Sequence, residues 1–148
     1  MHDEVTRAII VKANVEEVYH LWANFENFPN FMKNMKSVTK TGERTSHWVM
    51  EGPLGKSIEW DAETTRLDEN KRIAWNSTGG DIKTSGQVSF NELPQGETEI
   101  TVILKYVPPA GMAGELIASL FGDPEGKLDE DLRNFKAYAE GMYNRTSA

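Results

Sequence analysis

Ionisable side chains that could act as general acids or bases are scarce on the strand faces that we expect to point inward. The alternating pattern gives those faces hydroxyl groups, on Thr64, Ser77, Thr84 and Tyr106. The nearest charged candidates are Glu51 and Arg66, and each would need a β-bulge to reverse its side-chain direction. Acid–base catalysis needs a titratable group held in a cleft, so the pattern provides no complete catalytic set.

The three histidines do not form a metal site in the sequence pattern. His2, His20 and His47 are far apart, and no pair has the i, i+3 or i, i+4 spacing that places two ligands on one helix face. A zinc site needs three or four converging ligands, and the chain has no cysteine. His47 precedes Trp48 and should therefore face water if Trp48 faces inward. We expect no metal and no other cofactor.

Large apolar side chains dominate the inward rows and could line a pocket. The alternative is that they fill an ordinary core, since aromatic residues and methionine are common there. An apolar lining with a few hydroxyls is typical of a site for a lipid-like or aromatic ligand. The predicted ligand-binding residues are Trp48, Met50, Trp60, Trp75, Thr84, Val88, Phe90, Leu104, Tyr106, Met112, Leu116 and Leu120.

Strands should position most of these residues. Val5 to Lys12 reads as a first strand, and turn residues separate six later segments near 36–42, 45–52, 56–67, 71–77, 82–91 and 97–106. The links are short, so consecutive strands should pair antiparallel. In one segment Ile58, Trp60 and Ala62 alternate with acidic residues, which predicts a sheet with one buried face and one wet face.

Helices should cover the buried face. Asn14 is a candidate N-cap for a helix of about three turns, and a second, very short helix should begin near Pro29. Met112 to Phe121 is a further helical segment. Pro124 should occupy the first position of a long C-terminal helix, on which Leu128, Leu132, Phe135, Ala139 and Met142 form an apolar stripe.

The bulk composition narrows the function classes. The chain has 148 residues, 16 basic and 23 acidic, and a formal net charge of −7. We expect a single domain spanning residues 1–148 and no nucleic-acid binding, because an acidic chain repels phosphate backbones. The N-terminus lacks the apolar region of a signal peptide, so a cytoplasmic protein is expected. Glu115 and the absence of Lys or Arg near it predict at most weak membrane-surface contact.

The order of elements resembles the helix-grip fold of the START-like superfamily, and within it the bacterial polyketide cyclase/dehydrase-like and coenzyme Q-binding-like branch. The similarity covers about Val5 to Met142. It is carried by Val18-Tyr19-His20-Leu21-Trp22, Phe25 to Met32, Gly52-Pro53-Leu54-Gly55, Ile58 to Glu63, Ile73-Ala74-Trp75, Tyr106 to Gly111, Leu120 to Pro124 and Asp131 to Lys136. The resemblance implies an α+β fold, a curved sheet of about seven antiparallel strands around a long C-terminal helix, with a deep apolar cavity between them.

Three functions remain open at this point. The first is non-covalent binding of a small hydrophobic molecule such as a lipid, a quinone or a polyketide-like compound, by a carrier, chaperone or sensor. The second is a cyclase or dehydratase, which would need Glu51 or Arg66 inside the cavity. The third is a protein-interaction module whose acidic outer face meets a partner protein, an interpretation that an exposed apolar patch on 112–121 would favour.

Overall fold

The structure is a computed structural model that describes residues 3–51, 57–107 and 124–147, and side chains within 4–51, 57–105 and 126–141. Its elements, in chain order, are β1 (Asp3–Val11), α1 (Val15–Ala23), a 3-10 helix (Phe25–Asn30), β2 (Met35–Lys40), β3 (Thr45–Glu51), β4 (Ser57–Asp68), β5 (Arg72–Gly80), β6 (Lys83–Leu93), a three-residue 3-10 turn (Pro94–Gly96), β7 (Glu97–Val107) and α2 (Pro124–Ser147). We keep the name 3-10 helix for Phe25–Asn30.

The strands form one antiparallel sheet in the order β1-β7-β6-β5-β4-β3-β2. β2 to β7 pair as consecutive neighbours, and β1 pairs with β7. α2 contacts β1 and α1. The predicted helix-grip fold with seven strands and a long C-terminal helix is therefore confirmed. The predicted helical segment at Met112 to Phe121 and the Gly52-Pro53-Leu54-Gly55 segment between two predicted strands lie outside the described residues.

Alternation along the strands produces the two faces of the sheet. In β4, Ile58, Trp60 and Ala62 are buried, whereas the acidic residues between them are exposed. His47 points to the exposed face, as predicted, and lies beside two of those carboxylates. The acidic surface and the apolar interior thus follow from the period of two in the sequence.

α1 begins as the sequence predicts. The Asn14 side chain accepts a hydrogen bond from the Glu17 N–H at 2.9 Å, and Val15, Val18, Tyr19 and Trp22 are buried. The next helix was predicted to begin near Pro29, and this is wrong, because the 3-10 helix begins at Phe25 and contains Pro29. Phe25 and Phe28 stand one 3-10 turn apart and both pack inward, which fixes the earlier start.

The end of β5 also differs from the prediction. Gly79 and Gly80 were expected in a turn, but they continue β5 and pair with Asp61 and Trp60 of β4. Gly80 has a φ of +119°, and a Cβ there would lie 2.4 Å from the Trp60 Cα. The glycines therefore allow a close strand approach beside a register shift at Asp61/Ala62.

α2 begins at Pro124 and buries the predicted stripe. Leu128, Leu132, Phe135 and Ala139 are all buried. The Phe135 ring centroid lies 4.9 Å from those of Trp22 and Phe31, so the stripe packs against α1 and the segment after the 3-10 helix. The Met142 side chain lies outside the described side chains.

Candidate functional site

Three predicted site residues form a tryptophan stack on the inner face of the sheet, and we use that name for Trp48, Trp60 and Trp75. Their indole rings are buried. Trp48 lies in the middle, with ring centroids 5.7 Å from Trp60 and 6.2 Å from Trp75 and interplanar angles of 24° and 22°. Trp48 and Trp60 are direct cross-strand partners, so strand pairing itself places two of the rings together.

The 3-10 helix covers one end of the tryptophan stack. The Phe25 ring centroid lies 5.6 Å from that of Trp48 and 5.7 Å from that of Trp75. The Phe28 ring lies 5.3 Å from Trp48. Among the ring contacts of the described residues, Trp60 touches Trp48 alone. Trp60 is therefore the member of the stack that lies away from the phenylalanine side chains of the helix.

Two indole N–H groups of the stack, those of Trp48 and Trp60, differ in their hydrogen bonding. Trp48 donates its Nε1–H to the Ser46 hydroxyl at 2.8 Å. The Trp60 Nε1 is buried and has no hydrogen-bond partner among the residues that the structure describes. A buried donor without a partner is uncommon and costs about 1–3 kcal/mol. Among the described residues, Trp60 thus provides a hydrogen-bond donor in the interior that has no partner.

A cavity of about 430 Å³ opens at the end of the sheet where β5 turns into β6, and we call it the open-end cavity. Gly80, Ile82, Ser77 and Thr84 contribute to its lining. Gly80 lies directly across from Trp60 in the β4–β5 pairing. The volume falls within the range of about 300–1,000 Å³ that is typical of small-molecule sites.

Hydroxyl groups hold the rim of the open-end cavity in place. The Thr84 N–H donates to the Ser77 hydroxyl at 3.0 Å, and the Thr84 hydroxyl donates to the Lys105 carbonyl at 3.2 Å. The Tyr106 backbone pairs with Thr84 across β6 and β7. Thr84 of β6 is therefore linked to both β5 and β7 at the rim of the open-end cavity.

The remaining predicted site residues divide into three groups. Val88 and Phe90 are buried, with the Phe90 ring 5.4 Å from Tyr19 of α1, so they belong to packing beneath α1. Met50 and Leu104 are half-buried and pack at the margin of the core. The Tyr106 side chain and the residues Met112, Leu116 and Leu120 lie outside the described part of the chain.

Neither charged candidate for catalysis points inward. Glu51 is exposed, and Arg66 is 54% exposed with its Nε 2.8 Å from Asp68 Oδ2. A register shift does occur between Thr64 and Arg66, as a β-bulge would require, but the Arg66 side chain remains outside. Among the described side chains, the buried polar ones are Ser46, Thr64 and Thr98, which are uncharged hydroxyls.

The histidines have local roles in the described part of the chain. His47 lies between Asp61 at 2.9 Å and Glu59 at 2.8 Å, and these hydrogen bonds raise its pKa. His20 Nδ1 lies 2.7 Å from the Glu16 carbonyl. Across the described residues, no three histidine or carboxylate groups converge to hold a metal ion.

Arg7 is a polar residue of the inner rows that the sequence reasoning missed. It shares the inward parity of Val5, Ile9 and Val11 in β1, and its Nε lies 3.1 Å from Asp129 Oδ1 of α2. The signal was present in the alternation, because Arg7 interrupts an apolar row.

Within the described ranges, no helix combines the length and apolar composition that crossing a membrane requires.

Comparison with known proteins places the chain in a family. Residues 11–133 match the family described as polyketide cyclase / dehydrase and lipid transport. A crystal structure of the Deinococcus radiodurans protein DR_A0006 is 31% identical and superposes with a TM-score of 0.74, covering 93% of this chain and 98% of the other. An uncharacterised 17.2 kDa protein of Streptomyces lincolnensis is 28% identical over 137 residues, which is 93% of this chain and 89% of that protein.

A third relative extends the likeness at the level of the fold. The Zhui aromatase/cyclase from Streptomyces sp. R1128 has a TM-score of 0.75 at 18% identity, covering 95% of this chain and 94% of the other. The match over residues 11–133 spans most of the chain and includes the tryptophan stack and the open-end cavity. The chain therefore belongs to the polyketide cyclase/dehydrase and lipid transport family.

Proposed function

We propose that the chain binds a small hydrophobic molecule, such as a lipid, a quinone or a polyketide-like compound, on the inner face of the sheet beside Trp60. One observation carries this proposal. Within the described part of the chain, Trp60 has no ring contact with the phenylalanines that cover the rest of the tryptophan stack, its indole N–H has no partner, and it stands across from Gly80 of the open-end cavity. A planar apolar ligand would continue the stack toward the open end.

Desolvation would provide most of the binding free energy. Each Å² of apolar surface removed from water contributes roughly 25 cal/mol. The hydroxyls of Ser77 and Thr84 would orient a polar end of the ligand at the rim. The described inner rows of β3 to β7 bury no charged side chain, and the two lysines in the lining of the open-end cavity, Lys83 and Lys105, are exposed. This favours a ligand whose buried part is neutral. Carrier, chaperone and sensor roles all require such a site.

A cyclase or dehydratase activity is the second candidate, and the description of the family favours it. Such an enzyme would position a titratable group against the substrate. Glu51 and Arg66 do not serve, because both side chains are on the outside. The two functions differ in what happens to the bound molecule: a carrier releases it unchanged, and a cyclase releases it altered.

A titration with the neutral hydrophobic dye Nile red tests for the site itself. The wild-type chain should bind the dye with enhanced fluorescence. Thr84→Arg places a long charged side chain at the rim and should weaken binding by about tenfold or more. Thr39→Arg, at an exposed position of β2 outside the open-end cavity, should leave the affinity unchanged. Equal affinities for all three proteins would contradict a site beside Thr84.

A further inference from the structure

A separate cavity of about 320 Å³ lies at the opposite end of the sheet. It is bounded by the end of α1, the start of the 3-10 helix, the hairpin between β2 and β3, and the end of β4. We call it the hairpin pocket. Ala23, Phe25, Val38 and Leu67 form its apolar part. Leu67 is 40% exposed, and Ile10 is the other large hydrophobic residue with such exposure among the described side chains.

The hairpin carries two cations into the lining of this pocket. Lys40 and Arg44 are exposed there, and neither has a carboxylate within ion-pair distance among the described residues. Glu26 and Glu43 also contribute to the lining, so its formal charge is balanced. An arginine whose guanidinium has no protein partner offers a planar pair of donors that fits a carboxylate.

The backbone that presents Arg44 is held in place by hydrogen bonds. The Thr64 N–H donates to the Arg44 carbonyl at 2.7 Å, which fixes the hairpin to β4. The Thr41 and Thr45 hydroxyls are hydrogen-bonded at 2.9 Å across the turn. An anchored loop loses little conformational freedom when a ligand binds, so the site is preorganised.

We propose that the hairpin pocket binds a small monocarboxylate with a compact apolar body, which lies on Phe25, Val38 and Leu67 while its carboxylate pairs with Arg44. The volume is at the small end of the range for small-molecule sites, which limits the size of the ligand. Glu26 and Glu43 would repel a second negative charge, so a dianion is disfavoured.

This site is distinct from the one proposed beside Trp60. Phe25 separates them, because its ring lines the hairpin pocket and also contacts Trp48 and Trp75. Occupancy of the hairpin pocket therefore changes the surroundings of the tryptophan stack without filling the open-end cavity. A monocarboxylate with an apolar body would in this way bind at a site separate from that of the hydrophobic ligand.

The test uses 4-phenylbutyrate as the probe and its neutral amide, 4-phenylbutyramide, as the matched ligand. Methyl-resolved NMR titration of the full chain should show shifts at Val38 and Leu67 that saturate with the acid. The amide should bind with an affinity that is at least about tenfold lower than that of the acid. Arg44→Gln should weaken binding of the acid by about tenfold or more. Arg66→Gln, at an exposed arginine paired with Asp68 outside the pocket, should retain wild-type affinity.

Four results would overturn the proposal. The first is no saturable shift at Val38 and Leu67 with the acid, and the second is equal affinity for acid and amide. The third is equal weakening by Arg44→Gln and Arg66→Gln. Shifts confined to Ile82 and Val88 would place the probe beside Trp60 and would also reject the hairpin pocket. Nile red binding reports on the open-end cavity at Thr84. A negative result with 4-phenylbutyrate would therefore reject the hairpin pocket and leave the proposed hydrophobic site untouched.

Discussion

At the residue scale, Gly86 permits the position of Trp75 in the tryptophan stack. A Cβ on Gly86 would lie 2.3 Å from Cζ2, 2.6 Å from Cε2 and 2.9 Å from Cη2 of the Trp75 indole. Gly86→Ala must therefore displace the ring and should lower the free energy of unfolding by about 1–3 kcal/mol, measured by urea denaturation. Nile red affinity should fall as well, because the inner wall shifts.

Gly79→Ala provides the matched control for this prediction. Gly79 is also in a strand, but nothing lies within 4 Å of a Cβ built there, and its φ is not positive. Its free energy of unfolding should remain within about 0.5 kcal/mol of the wild-type value. If both alanine variants lost equal stability, the loss would come from glycine replacement in strands generally and the steric account would be wrong.

Thr98 makes a second residue-level prediction. Its side chain is fully buried, and its hydroxyl donates to the Ala13 carbonyl at 2.9 Å, which links the start of β7 to the connection before α1. Thr98→Val keeps the shape but leaves the carbonyl without this donor, and it should cost about 1–3 kcal/mol in urea denaturation. Thr101→Val, at a half-buried position of the same strand, should cost clearly less. An equal cost would contradict the role of the hydrogen bond.

Side-chain direction at single residues was largely predictable, since alternation alone indicated that Trp48, Trp60 and Trp75 share the inner face. Contacts between distant residues were not predictable in the same way. The Arg7–Asp129 pair and the buried Thr98 each join segments that only the tertiary fold brings together. The ring order of the stack also depends on the register shifts in β4, which no local pattern reveals.

At the element scale, we expect Asp131 to make the stability of the α2 packing depend on pH. Burial raises the pKa of the Asp131 carboxyl from 3.8 to about 6, although the backbone N–H of Lys33 donates to it at 3.4 Å and opposes this change. Glu130 raises the same pKa and Lys127 lowers it. Asp131 thus lies where α2 meets the segment that follows the 3-10 helix.

The sign of the effect follows from proton linkage. The folded state holds the Asp131 proton more tightly than the unfolded state, so this group's contribution to stability is complete below about pH 4 and is lost as the pH rises through about 6. Allowing for partial exposure, the loss should be at most about 2 kcal/mol. Asp131→Asn should remove this loss, measured by urea denaturation at pH 4.5 and pH 7.5.

Glu63→Gln is the control for the pH prediction, because Glu63 is exposed on the outer face of β4. It should keep the wild-type difference in unfolding free energy between the two pH values. A difference that is unchanged in Asp131→Asn would show that another group causes the pH dependence, and the account of Asp131 would be wrong.

The elements themselves could mostly be predicted, because caps and hydrophobic periods act locally. Asn14 marks the start of α1 and Pro124 the start of α2, and the structure places both as expected. The errors occur where tertiary packing overrides local signals. The packing of Phe25 and Phe28 makes the 3-10 helix begin at Phe25 and not near Pro29. Close pairing with Trp60 extends β5 through Gly80.

At the scale of the whole molecule, the helix-grip fold was predictable and the ligand was not. Apolar periodicity, short strand links and the long C-terminal helix together restrict the topology to few alternatives. A hydrophobic site, however, binds largely through non-directional desolvation, so many ligands satisfy the same lining. The family description, polyketide cyclase / dehydrase and lipid transport, fits both ligand binding and cyclase activity and names no particular compound for this chain.

The most direct test of the central claim is native mass spectrometry of the full chain, purified gently from cells that produce it naturally, followed by organic extraction. The account predicts one bound hydrophobic species per chain, present in wild type and Thr39→Arg and absent from Thr84→Arg. Adding back the extracted compound should raise the melting temperature of the wild-type chain. If the wild-type chain carried no such species and its extract failed to stabilise it, the proposal of hydrophobic ligand binding would be contradicted.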